Sequence, residues 1–307
     1  MESRVSEQMR AGIYKETEMM REMNRNAKIS GIRFDIPVEG REINIAYYKA
    51  KQENAPLILG FHGGGYLFGG NAMNDAMWSR VSEVLDANVA SVEYRKSPEY
   101  RYKEALDDAY DTYVYMQEHA GELGHDADRI SVMGCSAGAN LAATLCIYAK
   151  QQGNERIQKQ ILMYPFLDAY TDPDSKGEGS LQGPILHLFN ELHCTSEEAK
   201  LPIVSPVFAA GEELQNLPEA IFCMADHDNL KKEGYDYASM LEEAGVCVHT
   251  MCSEKMPHGY FESGFGKISE GEMQFLGEEV LAMIRSGEIA KASETALQYI
   301  KKWMTEA

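Results

Sequence analysis

Three features are scarce in this chain of 307 residues, and each scarcity excludes a class of protein. Basic charge is the first: 29 Lys and Arg stand against 48 Asp and Glu, a formal net charge of −19. Such a surface repels phosphate backbones and anionic headgroups, so neither a nucleic-acid partner nor a membrane-surface role is expected. The acidity reads as a solvated, solubilising exterior. Long apolar runs are also missing, so no membrane insertion is expected. The first 28 residues mix both charge signs without the apolar core of a signal peptide, and the expected location is cytoplasmic. Clustered cysteine is the third: Cys135, Cys146, Cys194, Cys223, Cys247 and Cys252 are dispersed with no C-x-x-C pair. That spacing excludes a disulfide scaffold and a zinc knuckle, and leaves mostly buried thiols.

What is present is a rhythm of short β-branched runs and helical patterns from residue 31 onward. "GIRFDIPV", "REINIAYYK", "PLILGF", "NVASVEY", "RISVMGC", "QKQILMYPF", "AIFCMADHD" and "VCVHTMC" read as strands, several separated by helices such as "YKEALDDAYDTYVYMQEHA". Strands joined through helices imply βαβ crossovers, an α/β fold with a mostly parallel twisted sheet flanked by helices. The first two runs lack an intervening helix, which implies an antiparallel hairpin at one edge. A single domain is expected. Residues 1 to about 28, with Val5, Met9, Ile13, Met20 and Met23 near helical spacing, and residues about 169 to 208 fall outside the rhythm. Both could form a helical cap over the sheet or simply pack against it.

The chemistry is carried by "RISVMGCSAGANLAATL", a strand, a Gly-flanked turn and a helix. This is the setting of a G-x-S-x-G nucleophile elbow, whose glycines remove Cβ atoms around a strained central residue. Two side chains in "GCSAG" can act as nucleophiles. Centring the motif on Cys135 would need glycine where Met133 and Ala137 stand, so the register selects Ser136. A serine needs a base, and the base needs a carboxylate, in the chain order serine, acid, histidine. His258 lies in a Pro-His-Gly loop just past a strand, whereas His249 lies inside that strand and reads as structural. For the acid, Asp226 and Asp228 at the end of "AIFCMADHDNL" both qualify. "LILGFHGGG" runs from a strand into three glycines, matching the HGGG-type loop that forms an oxyanion hole with the N–H after the nucleophile, here Ala137. His62 reads as a brace for that loop. Tyr66, Phe68, Trp78 and Tyr94 near it could line the pocket or simply pack, and packing is the safer reading.

Taken together, "HGGGY" (62–66), "YRKSPEYRYKEALDDAY" (94–110), "DRISVMGCSAGANLA" (128–142), "LPIVSPVFA" (201–209), "MADHDNLKKEGYDYASMLEEAGV" (224–246) and "HGYF" (258–261) resemble the hormone-sensitive-lipase branch of the α/β-hydrolases. That branch includes bacterial acetyl esterases and carboxylesterases, and the resemblance covers roughly residues 30 to 265. It implies an A-x-x-D-x-L acid motif, filled by Ala225, Asp228 and Leu230, so Asp228 is the expected acid. It implies oxyanion donors at Gly64, Gly65 and Ala137, and a cap built from the N-terminal helix and the insertion after the sixth strand. The implied activity is hydrolysis of short-chain, above all acetyl, esters by Ser136, Asp228 and His258, with no cofactor or metal and a small-molecule ester as partner. The alternatives are an arylformamidase-like amide hydrolase and a non-catalytic ligand-binding protein on the same fold, like the plant gibberellin receptors.

Two departures from the family stand out. Cys135 occupies the place before the nucleophile where relatives commonly carry an acidic residue or threonine, so it could tune the elbow, and it puts beside the site a thiol whose modification could block turnover. Residues about 266 to 292 form an extra helical stretch before the expected last helix "SETALQYIKKWM", and could extend the cap, make a homodimer face or decorate the surface.

Overall fold

A computed structural model of the chain describes residues 7–181, 183–266 and 277–305. Eight strands form one sheet: β1 (Ile32–Val38), β2 (Arg41–Tyr48), β3 (Ala55–Phe61), β4 (Asn88–Val92), β5 (His125–Cys135), β6 (Ile157–Met163), β7 (Glu219–His227) and β8 (Val248–Pro257). Their spatial order is β1-β2-β4-β3-β5-β6-β7-β8. β1 and β2 form an antiparallel hairpin, and β2 also pairs antiparallel with β4. From β4 to β8 every pairing is parallel. The hairpin and the mostly parallel sheet are those expected from the sequence.

The helices are α1 (Glu7–Asn26), α2 (Asp75–Leu85), α3 (Tyr102–Glu118), α4 (Ala120–Leu123), α5 (Ala137–Gln151), α6 (Gly183–His193), α7 (Gly211–Leu214), α8 (Lys231–Glu243), α9 (Tyr260–Phe265), α10 (Glu278–Ser286) and α11 (Glu288–Thr305). Both faces of the sheet are covered, so alternate residues of each strand enter different cores. Leu57, Leu59, Phe61, Val132, Leu162 and Phe222 pack toward α3, α5 and α8. Ile58, Met133, Cys135, Ile161, Met163, Ile221 and Cys223 pack on the other face toward Trp78 of α2, Ile289 and Leu297 of α11, and Phe261 of α9. Among the described residues no helix is long and apolar enough to cross a membrane.

The parallel register places the C-terminal ends of the strands along one edge. Phe61 pairs with Gly134, Cys135 with Met163, Met163 with Cys223, and His227 with Pro257. His62, Ser136, Tyr164, Asp228 and His258 each follow one of these strand ends directly.

Two expectations need correction. Among the described side chains of α1 the buried ones are Ile13, Thr17 and Asn24, whereas Met23 is 51% exposed. Asn24 explains why a polar face is inside: it donates to Glu93 Oε2 at 2.8 Å, and its Oδ1 accepts the N–H of Ala72 at 2.9 Å. A buried amide with its hydrogen bonds made is tolerated where a solvated methionine costs little. Val5 and residues 267–276 lie outside the described residues. The last helix begins at Glu288 instead of Ser293, because Gly287 at φ +81° ends α10 and lets α11 start at once. Val280, Leu281, Met283 and Ile284 of α10 pack into the core beneath α11 or lie against it.

Candidate active site

Ser136 occupies the sharp turn from β5 into α5 at φ 53°, ψ −116°, a left-handed value unusual for a residue with a Cβ. The flanking glycines make the turn possible by close approach. A Cβ on Gly134 would lie 2.0 Å from the carbonyl oxygen of Gly138, and one on Gly138 would lie 2.1 Å from that of Phe61.

His258 Nε2 lies 2.8 Å from Ser136 Oγ, and His258 Nδ1 lies 2.8 Å from Asp228 Oδ2. Because a carboxylate only accepts, Nδ1 carries the proton and Nε2 presents its lone pair to the serine hydroxyl. Burial alone would lower the imidazole pKa, but the charge of Asp228 and its hydrogen bond, then the charges of Glu262 and Glu233, outweigh it and hold it above its ordinary value. The other Asp228 oxygen accepts the N–H of Leu230 at 2.9 Å, which fixes the carboxyl rotamer. Asp226 points elsewhere, pairing with Lys231 at 2.7 Å and accepting the N–H of Lys255 at 3.4 Å.

The glycine loop after β3 runs beside this line of groups. Gly64 and Gly65 have φ +117° and +63°. A Cβ on Gly64 would lie 2.5 Å from the carbonyl oxygen of Phe68, and one on Gly65 would lie 2.4 Å from the ring of Phe189 in α6. No described residue accepts a hydrogen bond from the N–H of Gly64, Gly65 or Ala137. Ala137 opens α5, so the partial positive end of that helix adds to the three free donors. His62 braces the loop: its Nδ1 lies 2.7 Å from the carbonyl oxygen of Gly63, and its ring stacks on Tyr94 at 4.3 Å. Burial, then the charge of Lys96, drives the His62 pKa down to about 4, so the brace stays neutral.

Several residues that sequence reasoning missed complete the surroundings. The ring of Tyr164 meets that of His258 edge-on at 4.9 Å. Ser180 Oγ accepts the backbone N–H of His258 at 2.8 Å, and Asn229 binds the same segment through the N–H of Leu181 and the carbonyl of Gly177. Thus residues 177–181 of the insertion after β6 are tied directly to the loops that carry Asp228 and His258. α1 and α6 pack Ile13, Leu188 and Phe189 against Leu67 and Phe68 of the glycine loop. Cys135 is fully buried, and burial pushes its thiol pKa far up. Both the burial and the raised pKa disfavour the exposed thiolate through which a modifying reagent would act.

The model of an alpha/beta hydrolase fold family matches residues 58–262. An arylesterase of Saccharolobus solfataricus is 33% identical over 220 residues, covering 69% of this chain and 70% of that protein. The chain belongs to the alpha/beta hydrolase fold family. An ethyl acetate hydrolase of Pseudomonas putida is 30% identical over 236 residues, covering 74% of each chain. Among solved structures, an esterase of Pyrobaculum calidifontis superimposes on this hydrolase with a TM-score of 0.73 at 29% identity, over 94% of this chain and 93% of that one. The resemblance stated from the motifs is borne out.

Elsewhere in this hydrolase, two groups bring metal-ligand atoms within 4.8 Å of one another: Glu219 with Cys247 and His249, and Asp172 with Asp174 and His187. Neither contains a residue of the site. In the first, Glu219 is also held by Lys159 at 2.6 Å, and His249 stacks on Trp303 at 3.6 Å, the structural setting expected for that histidine.

Proposed function

We propose that this hydrolase is a serine carboxylesterase acting on short-chain acyl esters, acetyl esters foremost, through an acyl-enzyme at Ser136. The observation that carries the proposal is the unbroken hydrogen-bonded line Asp228–His258–Ser136, 2.8 Å at each step, beside three unengaged N–H groups. Ser136 Oγ attacks the ester carbonyl as His258 Nε2 takes its proton, and Asp228 stabilises the imidazolium. The N–H groups of Gly64, Gly65 and Ala137 receive the oxyanion. His258 then gives the proton to the leaving alcohol, and a water activated by the same nitrogen releases the acid and restores Ser136. Side chains and backbone supply every group in this scheme. We assign α1 and residues 169–208 as the cap that shapes the acyl and alcohol pockets, an assignment supported by their packing on the glycine loop. The name of the ethyl acetate hydrolase supports the short acyl group.

The test is turnover of p-nitrophenyl esters from acetyl to dodecanoyl by the wild type and Ser136→Ala. Hydrolysis of the acetyl ester by the wild type, a steep decline with chain length, and loss of turnover in the variant are expected. A preference for dodecanoate removes the acetyl reading, and no turnover of any ester removes the esterase reading.

A further inference from the structure

The glycine loop has an anionic anchor beneath it that comes from a distant part of the chain. Glu262 lies in α9, one turn after His258. Its Oε1 accepts the N–H of Gly63 at 3.2 Å and the Nδ2–H of Asn74 at 2.9 Å, and its Oε2 accepts the hydroxyl of Tyr164 at 3.3 Å. Three elements therefore converge on one carboxyl group: the loop after β3, the residue that caps α2, and the residue that follows β6. The fit is close, since a Cβ on Gly63 would lie 3.0 Å from both Glu262 oxygens. The residue before the nucleophile cannot take this part, because the buried side chain of Cys135 is a neutral thiol. Burial raises the Glu262 pKa, while the N–H of Gly63, the charge of His258 and the hydrogen bonds from Asn74 and Tyr164 oppose that rise and favour the carboxylate, whose charge in turn raises the pKa of His258.

We propose that Glu262 is a positioning residue for the ester hydrolysis: its carboxylate holds Gly63 so that the N–H groups of Gly64 and Gly65 face the oxyanion, and its charge supports the imidazolium of His258. The two effects have separable signatures. Holding the loop acts on transition-state charge and so on kcat, since substrate binding uses the oxyanion donors far less. Supporting the imidazolium acts on the pH at which His258 becomes a base, and neutralising Glu262 must lower that pH.

The proposal rests on the esterase reading, and the test keeps the two apart. Steady-state kinetics on p-nitrophenyl acetate, melting temperature and the NMR titration of the His258 imidazole are measured for wild type, Glu262→Gln and Glu262→Asp. In Glu262→Gln we expect kcat at least tenfold lower with KM within about threefold, consistent with loss of oxyanion stabilisation. The acid limb of kcat/KM and the His258 titration should both move to lower pH in that variant. In Glu262→Asp the charge stays but the shorter side chain no longer reaches Gly63, so kcat should fall while the titration stays near wild type. If Glu262→Gln keeps kcat within twofold and the titration unmoved, the proposal is overturned. A lower melting temperature with an unmoved titration overturns it too, leaving a structural role. Should the wild type hydrolyse no ester, the esterase reading and with it the oxyanion role fall, and the NMR titration still decides whether Glu262 acts on His258.

Discussion

Ser180 Oγ accepts the backbone N–H of His258 at 2.8 Å, joining the insertion after β6 to the loop that carries His258. Ser180→Ala should lower kcat/KM on p-nitrophenyl acetate about 3- to 10-fold, the scale of one ordinary hydrogen bond. The melting temperature should change by only a few degrees, about 2–4 °C for roughly 1 kcal/mol in a chain of this size. A wild-type kcat/KM in this variant would show that the loop holds His258 without the insertion.

Asp228→Asn should reduce kcat about 10⁴-fold, because an amide can turn its NH₂ to Nδ1 and reverse the imidazole tautomer. In the wild type the acid limb of kcat/KM should lie above the ordinary imidazole pKa of about 6.5, because Asp228, Glu262 and Glu233 favour the charged form. His258 works as a base only when neutral, so activity is lost as the pH falls through that raised value. A pH profile with its limb below about 6 would contradict this.

A second pH effect concerns stability. Glu233 is buried in α8, where its Oε1 accepts the N–H of Leu167 and its Oε2 meets Lys176 Nζ at 2.6 Å. Burial, only partly offset by Lys176, raises its pKa to about 7. The folded state therefore holds this proton more tightly than the unfolded chain, and the associated stability is fully present below the unfolded pKa of about 4.5 and lost as pH rises through 7. Glu233→Gln should flatten the decline in melting temperature between pH 5 and 8. An unchanged slope would mean that other groups set it.

Gly65→Ala should cut kcat more than tenfold, since the new methyl meets Phe189 and the backbone sits at φ +63°. Adding Phe189→Ala removes the collision but leaves the backbone strain, so recovery should be partial. The double-mutant cycle measures the steric share. Full recovery would show that the left-handed backbone costs nothing here.

The sheet, its edge hairpin and the elbow were legible in the sequence because their signals are local. β-branched runs mark strands, and Gly134 and Gly138 bracket Ser136 within five residues. Choosing Asp228 over Asp226 required a family pattern, since both end the same strand and only three-dimensional direction separates them. Glu262 and Ser180 were invisible for a different reason: their partners Gly63 and His258 lie 199 and 78 positions away. The buried face of α1 was not legible because apolar spacing marks Met23 and passes over Asn24. A hydrogen-bonded pocket formed by Glu93, Asn71 and Ala72 reverses that order for Asn24.

The register of β7 against β8 has a further consequence. Ser136 follows β5 and His258 follows β8, three strand spacings apart, so a flat ladder would separate them by about 14 Å. The side chains reach toward each other across that span, and the strand pair that carries His258 is itself irregular, with a shift in pairing between Ala225 and His227 and a left-handed Lys255 at φ +61°. The 2.8 Å contact therefore depends on where the β7–β8 edge places His258 as well as on the two side chains, and substitutions that shift that edge are expected to lengthen it without touching Ser136.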